Sequence, residues 1–231
     1  MHSSSSHLSK DLLELIKAIG DSRSKQEEDK IISKECETLK MIIKESGVPP
    51  KRMKEYLIRA IYIEMLGHDA SFSHLFAVNL TQDKNILNKR VGYLACSLLL
   101  NENSEFLILL VASLQKDLQS SNWVEVCMAL TTVIKFADPT IMQAVTEPVM
   151  KLLDNKNEQI RKKAVMCLYR FYQVEPATVP DCEERMRKLI CDYDPSVMAA
   201  TLPYFKERIS KNPEKYKDLV SPLVAILKQV I

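Results

Sequence analysis

The sequence predicts an all-α protein, an α-solenoid of HEAT- or armadillo-like antiparallel helix pairs, and three observations carry that expectation. Apolar residues recur three and four apart along nearly the whole chain, as at Leu12, Leu15, Ile16 and Ile19 or at Ile160, Ala164, Leu168 and Phe171, the spacing that lines one face of a helix. Only four glycines occur in 231 residues, Gly20, Gly47, Gly67 and Gly92, too few for the turns of an all-β chain or for a phosphate-cradling loop. Segments of the second half also superpose, because Leu118, Leu153, Ile190 and Leu227 stand 35, 37 and 37 residues apart. Eleven residues after the first three come Ala129, Ala164 and Thr201, twelve after come Leu130, Val165 and Leu202, and fifteen after come Val133, Leu168 and Phe205. A small residue and two large ones thus keep their places on a helix that follows a polar turn, at a period where a helix pair must stack on neighbours to bury its second face.

Taken in order, residues 1–7 read as a flexible leader and 8–231 as one solenoid trunk. Helices are expected over 8–19 and 24–46, and neither fits the repeat. The second opens with Ser24 followed by Glu27, a capping-box pattern, and its long polar run suits a cap on the solenoid or an arm around another subunit. Gly47 with Pro49 and Pro50 breaks the chain. An earlier, less regular unit then runs through helices over 51–66, 75–80 and 90–100. Polar turns at 101–104, 138–139, 154–157, 194–195 and 212–213 divide the remainder. The last stretch, 223–231, is an apolar helix without a polar outer face. Solenoids end on polar caps, so the trunk is expected to be an N-terminal fragment of a longer subunit.

Composition excludes several functions. The 32 basic and 30 acidic residues leave a net charge of +2, which suits no general polyanion binder, so nucleic acid is not expected and any affinity for phosphate must be local. Six cysteines, Cys36, Cys96, Cys127, Cys167, Cys182 and Cys191, are spread singly and read as reduced core thiols of a cytosolic protein, the last two on one helix. The apolar stretch 106–114 is too short for a membrane span, and the polar start lacks a signal-peptide core. His2 and His7 fall in the leader, while His68, Asp69 and His74 lie around one turn without a third ligand at metal-binding spacing; Asp69 reads as a helix cap. No nucleophile-elbow, Walker or dinucleotide pattern occurs. No catalytic residue, metal or cofactor is expected.

Particular residues carry a resemblance. Tyr62-Ile63-Glu64-Met65-Leu66-Gly67-His68-Asp69-Ala70-Ser71-Phe72, then Asn88-Lys89-Arg90-Val91-Gly92-Tyr93-Leu94-Ala95 with Leu98-Leu99-Leu100, resemble the N-terminal trunk of the large subunits of clathrin-type adaptor protein complexes. The likeness continues through Lys116-Asp117-Leu118, Arg161-Lys162-Lys163-Ala164 and Val224-Ala225-Ile226-Leu227-Lys228, covering nearly everything after Leu12. Val124 to Leu130 and Val197 to Ala200 look most like the epsilon type. The resemblance implies a non-enzymatic coat scaffold that wraps a sigma subunit, pairs with a beta subunit and carries a mu subunit. It further implies recruitment by phosphoinositides and an Arf-type GTPase, selection of transmembrane cargo tails, and a peripheral place on trans-Golgi network or endosomal membranes. By the same similarity Lys51, Arg52 and Lys54, at a helix start, are assigned to phosphoinositide headgroups, and Leu75, Val78 and Leu109 to the GTPase. The position of the arginine that holds an acidic cargo residue in the family falls on Gly20, leaving Arg23 or Lys25 to substitute.

Rival readings remain. A gamma-type adaptor or coatomer subunit and a HEAT-type regulatory scaffold fit the repeat as well. An armadillo groove built on Trp and Asn ladders suits a chain with one tryptophan less. Lys89, Arg90, Arg161, Lys162 and Lys163 read either as a basic ridge or as charge balance against turns such as Asp154 and Glu158. Trp123 reads as packing between units.

Overall fold

One polar turn, repeated four times, organises the chain. At each repeat a helix tightens into i to i+3 bonds, as where Ser120 N–H donates to the Asp117 carbonyl and Asp192 N–H to the Leu189 carbonyl. A short polar side chain then accepts from the backbone N–H two residues on: Asp83 from Asn85, Ser120 from Asn122, Asn155 from Asn157 and Asp192 from Asp194. The second member of each pair caps the next helix, Asn85 accepting from Leu87 N–H, Asn122 from Val124, Asn157 from Gln159 and Asp194 from Ser196. Short polar side chains compete well with the backbone at such places. By residue number these turns stand 37, 35 and 37 apart.

The computed structural model describes residues 9–101, 104–179 and 182–230, without the side chains of Ile226, Leu227, Gln229 and Val230. The expected leader 1–7, with His2 and His7, lies outside the described residues, and so does the register position at the Leu227 side chain. The helices are α1 Lys10–Gly20, α2 Lys25–Ile42, α3 Pro50–Met65, α4 His74–Leu80, α5 Ile86–Leu99, α6 Phe106–Leu118, α7 Trp123–Lys135, α8 Pro139–Leu152, α9 Glu158–Val174, α10 Cys182–Leu189, α11 Pro195–Lys211 and α12 Val220–Val230. Among the described residues no strand occurs. Two compact units divide the chain, 1–110 and 111–231, with the boundary inside α6.

In the first unit α1 and α2, which lie outside the repeat, are joined to it by a core of Ile32, Cys36, Leu39 and Ile63, with Ile19, Tyr56 and Phe72 against it. Helix α3 ends at Gly67, whose φ of +87° lets His68 N–H return to the Ile63 carbonyl at 3.2 Å, a closure that needs the left-handed conformation. In the second unit α9 packs on both α7 and α11 and also on its hairpin partner α8. That is the neighbour stacking a helix-pair repeat requires.

The small-residue position of the repeat is fully buried. Ala129, Ala164 and Thr201 are each 0% exposed. The same position in the earlier unit is Gly92, since 92 lies 37 residues before 129. A Cβ there would stand 2.6 Å from Thr81 N and 2.7 Å from Leu80 C, so the end of α4 occupies the space that a methyl group fills in the later units.

Several expectations change. Leu202 is 39% exposed, and Trp123, which opens α7 next to the turn, is 51% exposed instead of packed away between units. Cys191 lies beyond the end of α10 and is exposed, whereas the other five thiols are buried. Lys89 and Arg161 form no ridge, being 4% exposed each; both stand four residues after a cap, at Asn85 and Asn157 respectively. Arg161 is balanced by neither Asp154 nor Glu158. It grips Asp192, one repeat on, at 2.7 and 2.8 Å.

Candidate functional site

The start of α3 differs from the other helix starts. Pro49 precedes it with ψ 144°, no side chain caps it, Pro50 takes its first position, and its first turn holds no acid. Proline fits that position because the N–H it lacks would be unbonded there. Lys51 and Arg52 are exposed and Lys54 is half-buried; none of the three reaches a carboxylate among the described residues. The positive end of the helix macrodipole and three cations without a carboxylate among the described residues therefore share the first turns of α3, an arrangement that favours an anion.

Beside it lies a site that sequence reasoning missed. Arg59 is 5% exposed, set in the apolar stripe of α3 between Leu57 and Ile61. Its Nη1 donates to Glu35 Oε1 at 2.7 Å, its Nη2 stands 3.9 Å from Asp11, and its guanidinium lies 5.3 Å from the Tyr56 ring centre. Its Nε has no partner. Burial pushes the Glu35 carboxyl up, the Asp11 charge adds to this, and Arg59 opposes both. Arg59, Glu35 and Asp11 line a cleft of about 510 Å³ between α1, α2 and α3, together with Glu14 and Lys34. The one signal in the sequence was a lone cation on an apolar face, and its acid lies 24 residues upstream.

The cargo candidates are exposed but differ in partnership. Lys25 bonds Glu28 at 2.8 Å and reaches Asp29 at 3.4 Å, and the Glu28 hydrogen bond raises its pKa. Ser24 Oγ accepts from Glu27 N–H at 3.2 Å as expected, yet the Glu27 carboxylate accepts from Arg23 N–H at 2.9 Å, one residue before the cap. The exposed Arg23 side chain reaches no carboxylate among the described residues. At Gly20 a Cβ would meet nothing within 4 Å, so crowding does not explain the missing side chain.

The three apolar candidates separate. Val78 is 1% exposed, because α4 turns Ala77, Val78 and Leu80 to the core, and it can touch no partner. Leu75 and Leu109 are 42% and 50% exposed. His74 and Phe106 meet edge to face at 5.9 Å between ring centres, which sets the starts of α4 and α6 side by side and so brings Leu75 and Leu109 to neighbouring helices.

The residues around the Gly67 turn diverge. His68 Nε2 stands 3.4 Å from Asp29, Asp69 accepts from the Ser71 N–H and hydroxyl, and His74 faces Phe106. Asp69 thus holds a local turn at Ser71 and does not cap α4, whose N-cap is Ser73 without a side-chain bond. Among the described residues no three His, Cys, Asp or Glu groups gather as a metal site, and no helix is long and apolar enough to cross a membrane.

The AP-4 complex subunit epsilon of Arabidopsis thaliana is 48% identical over 222 residues, 96% of this chain and 24% of that protein. The AP-4 complex subunit epsilon-1 of Homo sapiens is 45% identical over 217 residues, 94% of this chain and 19% of that one. Identity falls to 30% over 220 residues for the AP-2 complex subunit alpha-1 of Arabidopsis thaliana, 93% of this chain and 22% of that one. The chain thus spans about a quarter or less of the length of these relatives. Among solved structures, a homology model of the full-length AP-3 complex in an intermediate open conformation matches at TM-score 0.64 and 26% identity, over 78% of this chain and 32% of that one. A designed armadillo repeat protein matches at TM-score 0.52 over 85% of this chain and 98% of that one, and at 15% identity it speaks for the fold alone. The sequence profile described as the adaptin N-terminal region matches residues 28–231, and the chain belongs to that family of adaptor-complex large subunits, resembling the epsilon type more than the alpha type.

Proposed function

We propose that this chain is the trunk of a non-enzymatic scaffold subunit in a heterotetrameric vesicle-coat adaptor complex acting in intracellular protein transport. In this reading it holds sigma, beta and mu subunits and sits peripherally on trans-Golgi network or endosomal membranes, as its likeness to AP-4 epsilon suggests. Membrane recruitment falls to the start of α3, where Lys51, Arg52 and Lys54 meet the phosphate groups of phosphoinositides. The observation that carries this is the coincidence of an uncapped helix start with three cations that have no acid of their own. Leu75 and Leu109 offer an exposed apolar contact to an Arf-type GTPase, a surface able to read a switch that orders with bound GTP, and buried Val78 drops out. Arg23, unpaired where Lys25 is engaged, is the better placed cation for an acidic residue on a transmembrane cargo tail.

Liposome flotation tests the membrane contact. Each cation near an anionic surface contributes about 1 kcal/mol. Charge reversal in Lys51→Glu/Arg52→Glu removes two such contributions and adds repulsion, so partition onto phosphoinositide vesicles should fall at least about 30-fold. Both side chains are exposed, so the fold is untouched. Unchanged binding would remove the assignment.

A further inference from the structure

The exposed face of α9 and α11 carries a groove that the adaptor reading does not use. Two adjoining hollows of about 550 and 470 Å³ share Tyr169 and Pro203. The larger has an apolar floor, with Met166 43% exposed beside Ala199 and Ala200. Pro203, inside α11, has no N–H to return to the Ala199 carbonyl four residues back.

The charges around the groove are distributed unevenly. Among the basic residues of α9, α10 and α11, Arg161, Arg185, Arg187, Lys188, Arg208 and Lys211 each reach a carboxylate. Lys162, Arg170 and Lys206 reach none among the described residues, and all three line the groove. The fourth cation without an acid, Lys163, donates to the Thr131 hydroxyl. The one acid in the groove, Glu207, is already taken by Lys211 at 2.7 Å. Three desolvatable cations over an apolar floor are complementary to carboxylates that flank an apolar side chain.

We propose that this groove binds a short extended peptide segment of a partner, with acidic residues about four apart and leucine- or phenylalanine-type side chains between them. The spacing follows from the helix: Lys162 and Arg170 are eight residues apart, about 12 Å along α9, which an extended chain covers in about four residues. The inference stands on this face alone and holds whether or not the start of α3 meets lipid.

Fluorescence anisotropy on the full chain, together with any subunits that hold it in solution, provides the test. The probe is a labelled twelve-residue peptide with glutamates four apart and leucines between, and the control replaces each glutamate with lysine. The acidic peptide should bind, weaken as salt rises, and lose at least tenfold in affinity in Lys162→Glu/Arg170→Glu/Lys206→Glu. Should that variant fold poorly by circular dichroism, Ala199→Phe fills the exposed floor without changing charge and should cause the same loss. Equal binding of the two peptides, or no binding of the acidic one, overturns the proposal. So does a photo-crosslinker at position 166 that captures a folded subunit of the complex even with peptide in excess, since the groove would then be a subunit interface.

Discussion

Repeat consensus and geometry disagree at Gly92, and the disagreement can be measured. Alanine or threonine stands at the equivalent position of the later units, and alanine is favoured over glycine inside a helix by about 0.8–1.0 kcal/mol. Consensus therefore expects Gly92→Ala to stabilise the protein by about 1 kcal/mol. Geometry expects the reverse, because the added Cβ would stand 2.6 and 2.7 Å from backbone atoms of Thr81 and Leu80. These atoms cannot swing away as the end of a side chain would, so α4 and α5 must part. Overpacking of this kind costs about 1–3 kcal/mol, and contact with backbone puts it near the upper end, leaving a net loss of about 2 kcal/mol. For a chain of this length that lowers Tm by about 4–8 °C. Urea and thermal melts of the two proteins decide it, and amide exchange should show faster opening confined to α4 and α5. A Gly92→Ala protein as stable as its parent, or more so, would refute the account of the small-residue column as a limit on helix approach.

Two further predictions concern buried charge. Arg161 and Asp192 are both 5% exposed at the side chain; the guanidinium also donates to the Asn155 and Lys156 carbonyls and stacks 4.5 Å from the Tyr193 ring centre. Asp192→Asn leaves a buried cation without its counter-ion and should cost about 3–5 kcal/mol in urea melts, whereas Arg161→Met/Asp192→Leu should cost much less than the two single changes together. Burial alone would push the Glu183 carboxyl up, but hydrogen bonds from Arg208 at 2.7 Å, Lys215 at 3.0 Å and the Tyr216 hydroxyl at 3.0 Å prevail and bring it from 4.5 to about 2. A carboxyl lowered on folding stabilises fully above its unfolded value and loses that contribution as pH falls toward its folded one. Stability should therefore drop by up to about 3 kcal/mol between pH 5 and pH 2, and Glu183→Gln should flatten that part of the curve; an unaltered acid limb would show that the cluster contributes little.

Helix type, turn positions and the repeat were legible because they are local: a 3.6-residue period and an Asn or Asp before each apolar run need no knowledge of neighbours. The small-residue column was legible at Ala129, Ala164 and Thr201 and was missed at Gly92, although the same 37-residue step leads to it. There a glycine reads as a helix flaw until the backbone of α4 is seen against it. The apolar candidates could not be sorted. Helix α4 has seven residues, and in two turns the stripe containing Val78 cannot be told from the flank that carries Leu75. The burial of Trp123 and Cys191 was misread for a related reason, since each sits at a helix end where exposure depends on one or two residues of boundary.

Charge was the least legible feature, and the cause is the repeat itself. The polar contacts that tie one unit to the next join residues 31 apart at Arg161 and Asp192, 31 at Arg185 and Asp154, 32 at Lys215 and Glu183, 36 at Arg208 and Tyr172, and 37 at Tyr193 and the Lys156 carbonyl. A window of local sequence contains one partner of each pair and never both, so Arg161 reads like its neighbour Lys162. Once stacked, the two have opposite duties: Arg161 is desolvated and spent on cohesion, and Lys162 is left facing outward. A partner surface on such a fold can draw only on the cations that the stacking does not use, and the start of α3 and the groove of α9 and α11 each hold three of them. If that rule holds, reversing Lys162 should leave the melting curve where it was and change only what the groove binds, while neutralising Arg161 should do its damage to the fold first.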